Sequence, residues 1–148
     1  MEKDFRDILV AFNVADVEYL VVGAYAVAAH GLPRATGDLD LFVRCAADNA
    51  QRVARALAMF GAPPHLSAAQ DFATADMVVQ IGVEPVRIDI LTSISGVEFA
   101  EAAATRVMHT VDGVEIPCLG RECLIRNKRS SGRKKDLLDA EWLEQHAP

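Results

Sequence analysis

Two pieces of sequence decide the fold: the apolar run Tyr19-Leu20-Val21-Val22-Gly23 and, about fifteen residues later, the triplet Asp38-Leu39-Asp40. Side chains of a β-strand alternate between its two faces, so Asp38 and Asp40 project from the same face. Leu39 and Leu41 project from the other face and anchor the strand in a core. Two carboxylates about 4 Å apart repel by roughly 4 kcal/mol at an effective dielectric constant near 20. The pair therefore needs a cation or a proton.

A third acid, Asp89, lies in the run Val86-Arg87-Ile88-Asp89-Ile90-Leu91, which is apolar enough for an inner strand. A carboxylate there is costly to bury without a partner. If the two strands are neighbours, Asp38, Asp40 and Asp89 form a site of the kind that holds Mg²⁺ or Mn²⁺ together with substrate phosphates. Two alternatives stay open: a salt bridge between Asp89 and an arginine such as Arg87, and a merely solvated acidic strand.

The composition indicates one domain that spans residues 1–148. With 51% hydrophobic residues, the chain is long enough for one sizeable core and too short for two ordinary domains. It contains no apolar run of the roughly 20 residues that a membrane span requires, and its first residues are too charged for a signal peptide. Three cysteines without paired spacing are typical of reduced thiols. We therefore expect a cytoplasmic protein without a membrane partner.

The net charge of −6 is unevenly distributed along the chain. Residues 121–135 carry seven basic side chains and one acid, a net +6, which leaves −12 for the rest. A basic segment on an acidic body could draw a polyphosphate or a nucleic-acid backbone toward a metal site. The same charges could equally be a solvated helical face. Residues 121–146 are predicted to form a basic, helical C-terminal segment of the domain.

Hydrophobic periodicity predicts alternating helices and strands, and hence the α/β (α+β) class with a mixed β-sheet and flanking helices. Residues 65–75 show no clear period and are predicted to be a loop near the site. In the last helix, Leu137, Leu138, Trp142 and Leu143 are predicted to face inward. The predicted helices are 4–16, 24–30, 47–60, 97–104, 121–128 and 133–145, with a break at 130–132, and the predicted strands are 18–22, the segment with Asp38 and Asp40, 77–81, 86–91, 107–111 and 114–118.

Taken together, these motifs resemble the polymerase-beta-type nucleotidyltransferase superfamily, whose signature is an apolar strand, a glycine, an Asp-x-Asp strand and a later carboxylate. More closely, the stretch from His30 to Asp40 and the tail from Asn127 to Asp139 resemble small bacterial nucleotidyltransferase proteins related to AbiEii-type toxins. The resemblance covers nearly the whole chain and implies a minimal nucleotidyltransferase fold.

The resemblance also implies roles for individual residues. Gly23 and Ala24 would present backbone amides to a nucleoside triphosphate such as ATP. Asp38, Asp40 and Asp89 would hold the metal, with Asp89 helping to deprotonate the acceptor hydroxyl. The remaining implied roles concern phosphate: Lys128 would steady its charge in the transition state, and Arg34, Thr36 and Asp136 would contribute to nucleotide binding. For Asp136, a helix-surface carboxylate paired with Arg133 is the alternative.

Two departures from the family pattern bear on activity. Ala24 stands where the superfamily usually has Gly or Ser, so a hydroxyl contact to phosphate is lost, and the chain lacks the large helical domain of many relatives. Three functions follow: a transferase that moves a nucleoside monophosphate to RNA (tRNA among the candidates), protein or a small molecule; a catalytically silent nucleotide-binding module; or an interaction protein such as a toxin–antitoxin component. Partners would then include an antitoxin or a second copy of the chain.

Overall fold

The computed structural model describes residues 1–33 and 37–147. These residues form seven α-helices and six β-strands, with one 3-10 turn at Pro64–Leu66. The helices are α1 (Lys3–Val14), α2 (Gly23–Ala29), α3 (Ala47–Phe60), α4 (Ala69–Phe72), α5 (Phe99–Ala104), α6 (Arg121–Ser131) and α7 (Lys134–Gln145). The strands are β1 (Tyr19–Val22), β2 (Asp38–Val43), β3 (Val78–Val83), β4 (Val86–Leu91), β5 (Val107–Val111) and β6 (Val114–Cys118).

The strands form one mixed sheet in the order β3-β4-β2-β1-β6-β5. β1 runs antiparallel to β2 and parallel to β6, whereas β2 runs parallel to β4. The hairpins β3-β4 and β5-β6 lie at the two edges of the sheet. The predicted fold class, a mixed sheet with flanking helices, is confirmed.

Each face of the sheet is covered by its own hydrophobic core. Tyr19 and Val21 of β1 belong to the core under α1 and α3. Leu20 and Val22 belong to the core under α2, α5, α6 and α7. β1 is therefore buried on both faces, which explains why its sequence is a continuous apolar run. β2 differs because it buries apolar side chains on the α1 side and carries Asp38 and Asp40 on the other. The acids thus lie on the face covered by α2, α6 and α7.

No helix in the described part of the chain is long and apolar enough to cross a membrane.

The prediction of a loop over residues 65–75 is wrong in part, because this segment contains the end of the 3-10 turn and the short helix α4. Phe72 is fully buried and belongs to the same core as α1 and α3. One aromatic anchor holds a helix of a single turn, which is too short to produce a periodic pattern in the sequence.

Two predictions for the C-terminal helices are also wrong. α6 continues through Ser130 and Ser131 and ends at Gly132, whose φ of 69° is readily adopted by a residue without a Cβ. In α7, Leu137 and Leu138 are exposed, and the buried residues are Asp139, Ala140 and Leu143. The orientation of α7 is thus set by an interaction that buries Asp139 rather than by the two leucines.

Phe72→Ala should destabilise the protein by about 3 to 5 kcal/mol, because truncating a buried aromatic side chain leaves a cavity. Denaturant unfolding followed by circular dichroism measures this loss. The matched control is Met59→Ala at an exposed position of α3, which should change the free energy of unfolding by less than about 0.5 kcal/mol. Equal effects of the two substitutions would contradict the anchoring role of Phe72.

Candidate active site

The register of β2 against β4 brings the predicted acids together. In this parallel pair, Asp40 lies opposite Asp89 and Asp38 lies opposite Arg87. Neighbouring strands are about 4.8 Å apart, so Asp40 and Asp89 project side by side from one face. The adjacency of the two strands that the acid pattern required is therefore present.

Arg87 is bound to two of these three acids. Its Nε donates to Asp89 Oδ1 at 3.0 Å, and its Nη2 donates to Asp38 Oδ2 at 2.9 Å and to Asp89 Oδ2 at 3.3 Å. Its Nη1 also lies 3.4 Å from Glu84 Oε1. The salt bridge between Asp89 and Arg87, one of the two alternatives to a metal site, is thus found in the structure.

Asp40 has the most perturbed carboxyl group of the site. Burial, followed by the nearby charges of Asp89 and Asp38, raises its pKa to about 6. Gly23 packs directly against it, with a φ of 67° at a point where a Cβ would lie 2.1 Å from Asp40 Oδ2. Only glycine fits there, because any side chain would collide with the carboxylate and require a strained backbone.

A fourth carboxylate adds to this negative charge. The pKa of Glu84 is raised, chiefly by a hydrogen bond with the carboxyl group of Asp38, and then by its burial and by the charge of Asp38. Four carboxylates thus face the guanidinium of Arg87, and the cluster keeps an excess of negative charge.

On the other side of the site, Lys128 is buried between two aspartates. Its Nζ lies 3.1 Å from Asp136 Oδ1 and 3.3 Å from Asp139 Oδ2. Ser131 Oγ donates to Asp136 Oδ2 at 2.6 Å. Burial alone would raise the pKa of Asp136, but the hydrogen bonds from Ser131 and Lys128 outweigh it and lower the pKa. Asp136 therefore stays ionised and holds Lys128 in place.

Asp139 was missed by the sequence reasoning. Only 2% of its surface is exposed, and it pairs with Lys128. The available signal was its position in α7 between two apolar positions, Leu138 and Ala140, at a spacing of three from Asp136. A helix places residues three apart on neighbouring parts of one face, so both acids can reach one lysine.

These groups line one open cleft of about 650 Å³. Gly23, Ala24 and the acids of β2 and β4 form one side, and Lys128, Arg133 and Lys135 lie on the other. In the described residues, six aspartates and four basic side chains line the cleft: Asp38, Asp40, Asp76, Asp89, Asp136 and Asp139, and Arg87, Lys128, Arg133 and Lys135. The predicted phosphate contacts Arg34 and Thr36 lie outside the described residues.

The basic segment does not line the cleft as one unit. Of its seven basic residues, Lys128, Arg133 and Lys135 do so in the described structure. Three others are engaged elsewhere: Arg126 binds Glu101, Arg129 binds Glu144, and Arg121 binds Glu122 and the carbonyl oxygen of Leu143. Much of the charge counted in the sequence is therefore neutralised by ion pairs.

The acids have the chemistry that binds a divalent cation, but in the described structure they are not arranged around one. Among residues 1–33 and 37–147, no three His, Cys, Asp or Glu side chains are arranged to hold a metal ion. Carboxylate oxygens are nevertheless the ligands that Mg²⁺ and Mn²⁺ prefer, and the carboxylates of Asp38, Asp40 and Asp89 lie on one face of two adjacent strands. The carboxylates of Asp38, Asp40 and Asp89 therefore fit a divalent cation, although Arg87 binds two of them, Asp38 and Asp89.

Comparison with known proteins identifies the fold. No protein-family model matches the sequence, and no curated protein matches it either. Among solved structures, a Thermotoga maritima protein assigned as a nucleotidyltransferase has a TM-score of 0.58 and 14% identity, covering 95% of this chain and 88% of its own.

Two antibiotic-related proteins are similar as well. The antibiotic-resistance factor ANT(2'')-Ia has a TM-score of 0.62 and 13% identity, covering 96% of this chain and 81% of its own. The lincosamide antibiotic adenylyltransferase LnuA, in its lincomycin-bound form, has a TM-score of 0.60 and 18% identity, covering 99% and 98%. The chain thus has the fold found in nucleotidyltransferases and antibiotic adenylyltransferases.

In metal-free buffer, Asp40→Asn should stabilise the protein above about pH 6 by about 3 kcal/mol. Asp40 holds its proton more tightly in the folded protein than in the unfolded chain, so its ionisation costs stability. This cost is absent below the unfolded pKa of about 3.8, grows as the pH rises, and is complete above about 6.

Urea unfolding of both proteins at pH 4 and pH 7.5 measures the difference. The gain from the substitution should be present at pH 7.5 and vanish at pH 4. A gain that does not depend on pH would show that Asp40 ionises normally.

Proposed function

We propose that this protein is a metal-dependent nucleotidyltransferase that moves a nucleoside monophosphate from a nucleoside triphosphate to an acceptor hydroxyl, with release of pyrophosphate. The observation that carries the proposal is the register that sets Asp40 beside Asp89, with Asp38 on the same face, at one side of a cleft with a basic opposite side. The nucleotidyltransferase fold of the chain supports it.

Asp38, Asp40 and Asp89 are the residues that would hold Mg²⁺ or Mn²⁺. A cation held by these three carboxylates would supply positive charge that offsets the negative charge developing on the phosphate during transfer. The excess of aspartates in the cleft agrees with this, because a bare triphosphate would be repelled whereas a metal-nucleotide complex would bring its own cation. Asp89 would also accept a hydrogen bond from the acceptor hydroxyl and assist its deprotonation.

The basic side of the cleft would bind phosphate. Lys128 is fixed by Asp136 and Asp139, so its ammonium group is oriented before substrate arrives. Asp136 would therefore contribute to nucleotide binding through Lys128. The backbone of Gly23 and Ala24 lines the cleft next to Asp40 and would approach the phosphates without a side chain in the way. Arg34 and Thr36 remain predicted phosphate contacts.

For the acceptor, we favour a small hydroxyl compound over a long RNA. LnuA is a lincosamide antibiotic adenylyltransferase and ANT(2'')-Ia is an antibiotic-resistance factor, and both have a fold similar to that of this chain over most of their length. The ion pairs of Arg126 and Arg129 also reduce the positive surface that an extended polyanion such as tRNA would use. A protein acceptor and a toxin–antitoxin role with a cognate antitoxin or a second copy remain predictions, as does the cytoplasmic location.

A catalytically silent nucleotide-binding module is the second candidate. The observation that favours it is the engagement of Asp38 and Asp89 by Arg87, combined with the absence of a hydroxyl group at Ala24. Such a protein would bind nucleotide without turnover.

Two measurements separate these functions. Thermal shift with each nucleoside triphosphate should show stabilisation only when Mg²⁺ or Mn²⁺ is present, and Asp40→Asn should remove it. Labelled triphosphates incubated with separate RNA, protein and small-molecule fractions should then label one fraction. Binding without labelling supports the silent module, and absence of nucleotide binding overturns both candidates.

Lys128→Ala should abolish transfer and also destabilise the protein by about 3 to 5 kcal/mol, because it leaves the buried Asp139 without its cation. The double variant Lys128→Met with Asp139→Leu removes both charges and should recover most of the stability without recovering transfer. Denaturant unfolding and the labelling assay check the two effects. Transfer that returns with stability would show that Lys128 has only a structural role.

Lys135→Ala should weaken binding of an anionic ligand, whereas Lys134→Ala should not, since only Lys135 of the two lines the described cleft. Salt screens the attraction between an exposed ammonium group and a phosphate, so losing such a contact makes the slope of log affinity against log salt concentration shallower. Titration of the metal-nucleotide complex at several salt concentrations should show a shallower slope for Lys135→Ala alone. Identical slopes for both variants would place Lys135 outside the binding surface.

A further inference from the structure

Arg87 holds the acids of the cluster by different nitrogen atoms. Nε and Nη2 bind Asp89 and Asp38, whereas Nη1 lies near Glu84. Asp38 and Asp89 are two of the three carboxylates that would ligate a divalent cation. Both oxygens of Asp89 and one oxygen of Asp38 are therefore already bound to a cation that belongs to the chain.

We propose that Arg87 is a resident counter-cation of the acid cluster and that a divalent cation displaces it, so that metal binding and the ion pairs of Arg87 with Asp38 and Asp89 exclude each other. This inference rests on the proposed function, because it takes Asp38 and Asp89 as metal ligands. In the absence of metal, the guanidinium keeps the carboxylates close together. When a metal binds, the ion pairs of Asp38 and Asp89 with Arg87 are lost. The free energy of metal binding is therefore less favourable by the free energy of those ion pairs.

The exposed fractions of the Arg87 and Lys128 side chains support an exchange at Arg87 and not at Lys128. The side chain of Arg87 is 28% exposed, and its partners Asp38 and Asp89 are 29% and 11% exposed at the wall of the cleft. The side chain of Lys128 is 10% exposed, and its partner Asp139 is 3% exposed. Breaking a buried pair leaves an uncompensated charge, whereas a partly hydrated guanidinium can leave its partners at modest cost.

Glu84 provides the released guanidinium with a partner. It lies 3.4 Å from Nη1, a nitrogen that neither Asp38 nor Asp89 uses, and its side chain is 59% exposed. Arg87 can therefore leave the two aspartates without leaving all its negative partners. Because Arg87 lines the cleft, its released charge would remain beside the bound anion.

The test measures metal affinity in the absence of nucleotide. Mn²⁺ binding to the whole protein, followed by the electron paramagnetic resonance signal of unbound Mn²⁺, should be about tenfold tighter for Arg87→Met than for the wild type. Arg87→Lys should lie between them, because it keeps the charge and loses the forked donors. Equal affinities of wild type and Arg87→Met would overturn the inference.

Arg44→Met is the matched control. Arg44 also joins two acids, Glu18 and Asp48, and its side chain is 33% exposed, but it does not line the described cleft. This variant should bind Mn²⁺ with the affinity of the wild type. A gain as large as that of Arg87→Met would show a general effect of lost positive charge and overturn the proposal.

A second measurement uses the wild-type protein and therefore does not depend on the folding of a variant. The Nε–Hε resonance of Arg87 should shift on titration with diamagnetic Mg²⁺, and that of Arg44 should not. An unchanged Arg87 resonance at saturating Mg²⁺ would show that the guanidinium stays in place. If neither wild type nor Arg87→Met binds metal, the metal site of the proposed function fails as well, whereas equal binding by both leaves that site standing and removes only the exchange.

Discussion

The structure depends on one electrostatic constraint: carboxylates gathered at the end of a sheet must share cations. The parallel register of β2 and β4 sets Asp40 beside Asp89 on the same face, where burial and mutual repulsion raise the pKa of Asp40 to about 6. At a separation of about 4 Å and an effective dielectric constant near 20, each like-charged pair costs roughly 4 kcal/mol. Such an arrangement persists only because basic residues reach it from two sides.

The two cations of the site differ in how firmly they are held. Lys128 is buried between Asp136 and Asp139 and fixes α6 against α7, so it acts as a permanent part of the fold. Arg87 lies on the strand itself, is partly exposed, and has Glu84 as an additional partner. The acids are thus balanced by one firmly held, buried cation and by one cation that is partly exposed.

The distribution of charge also bears on what the cleft can bind. Its described surface carries more aspartates than basic residues, which suits an anion that arrives with its own cation. Arg126 and Arg129 are paired outside the cleft, so the positive patch suggested by the amino-acid order is much smaller in three dimensions.

The sequence by itself determined the strands, the faces on which Asp38, Asp40 and Asp89 project, and the class of the fold. These features follow from alternation with period two, which is a local property of the chain. The tertiary structure decided which charges meet. Leu137 and Leu138 were expected on the buried face of α7, but the ion pair between Lys128 and Asp139 turns another face of this helix inward. Phe72 is buried although its segment shows no hydrophobic periodicity. Pairing between distant residues depends on packing and on the cost of burying a lone charge, neither of which a local pattern contains.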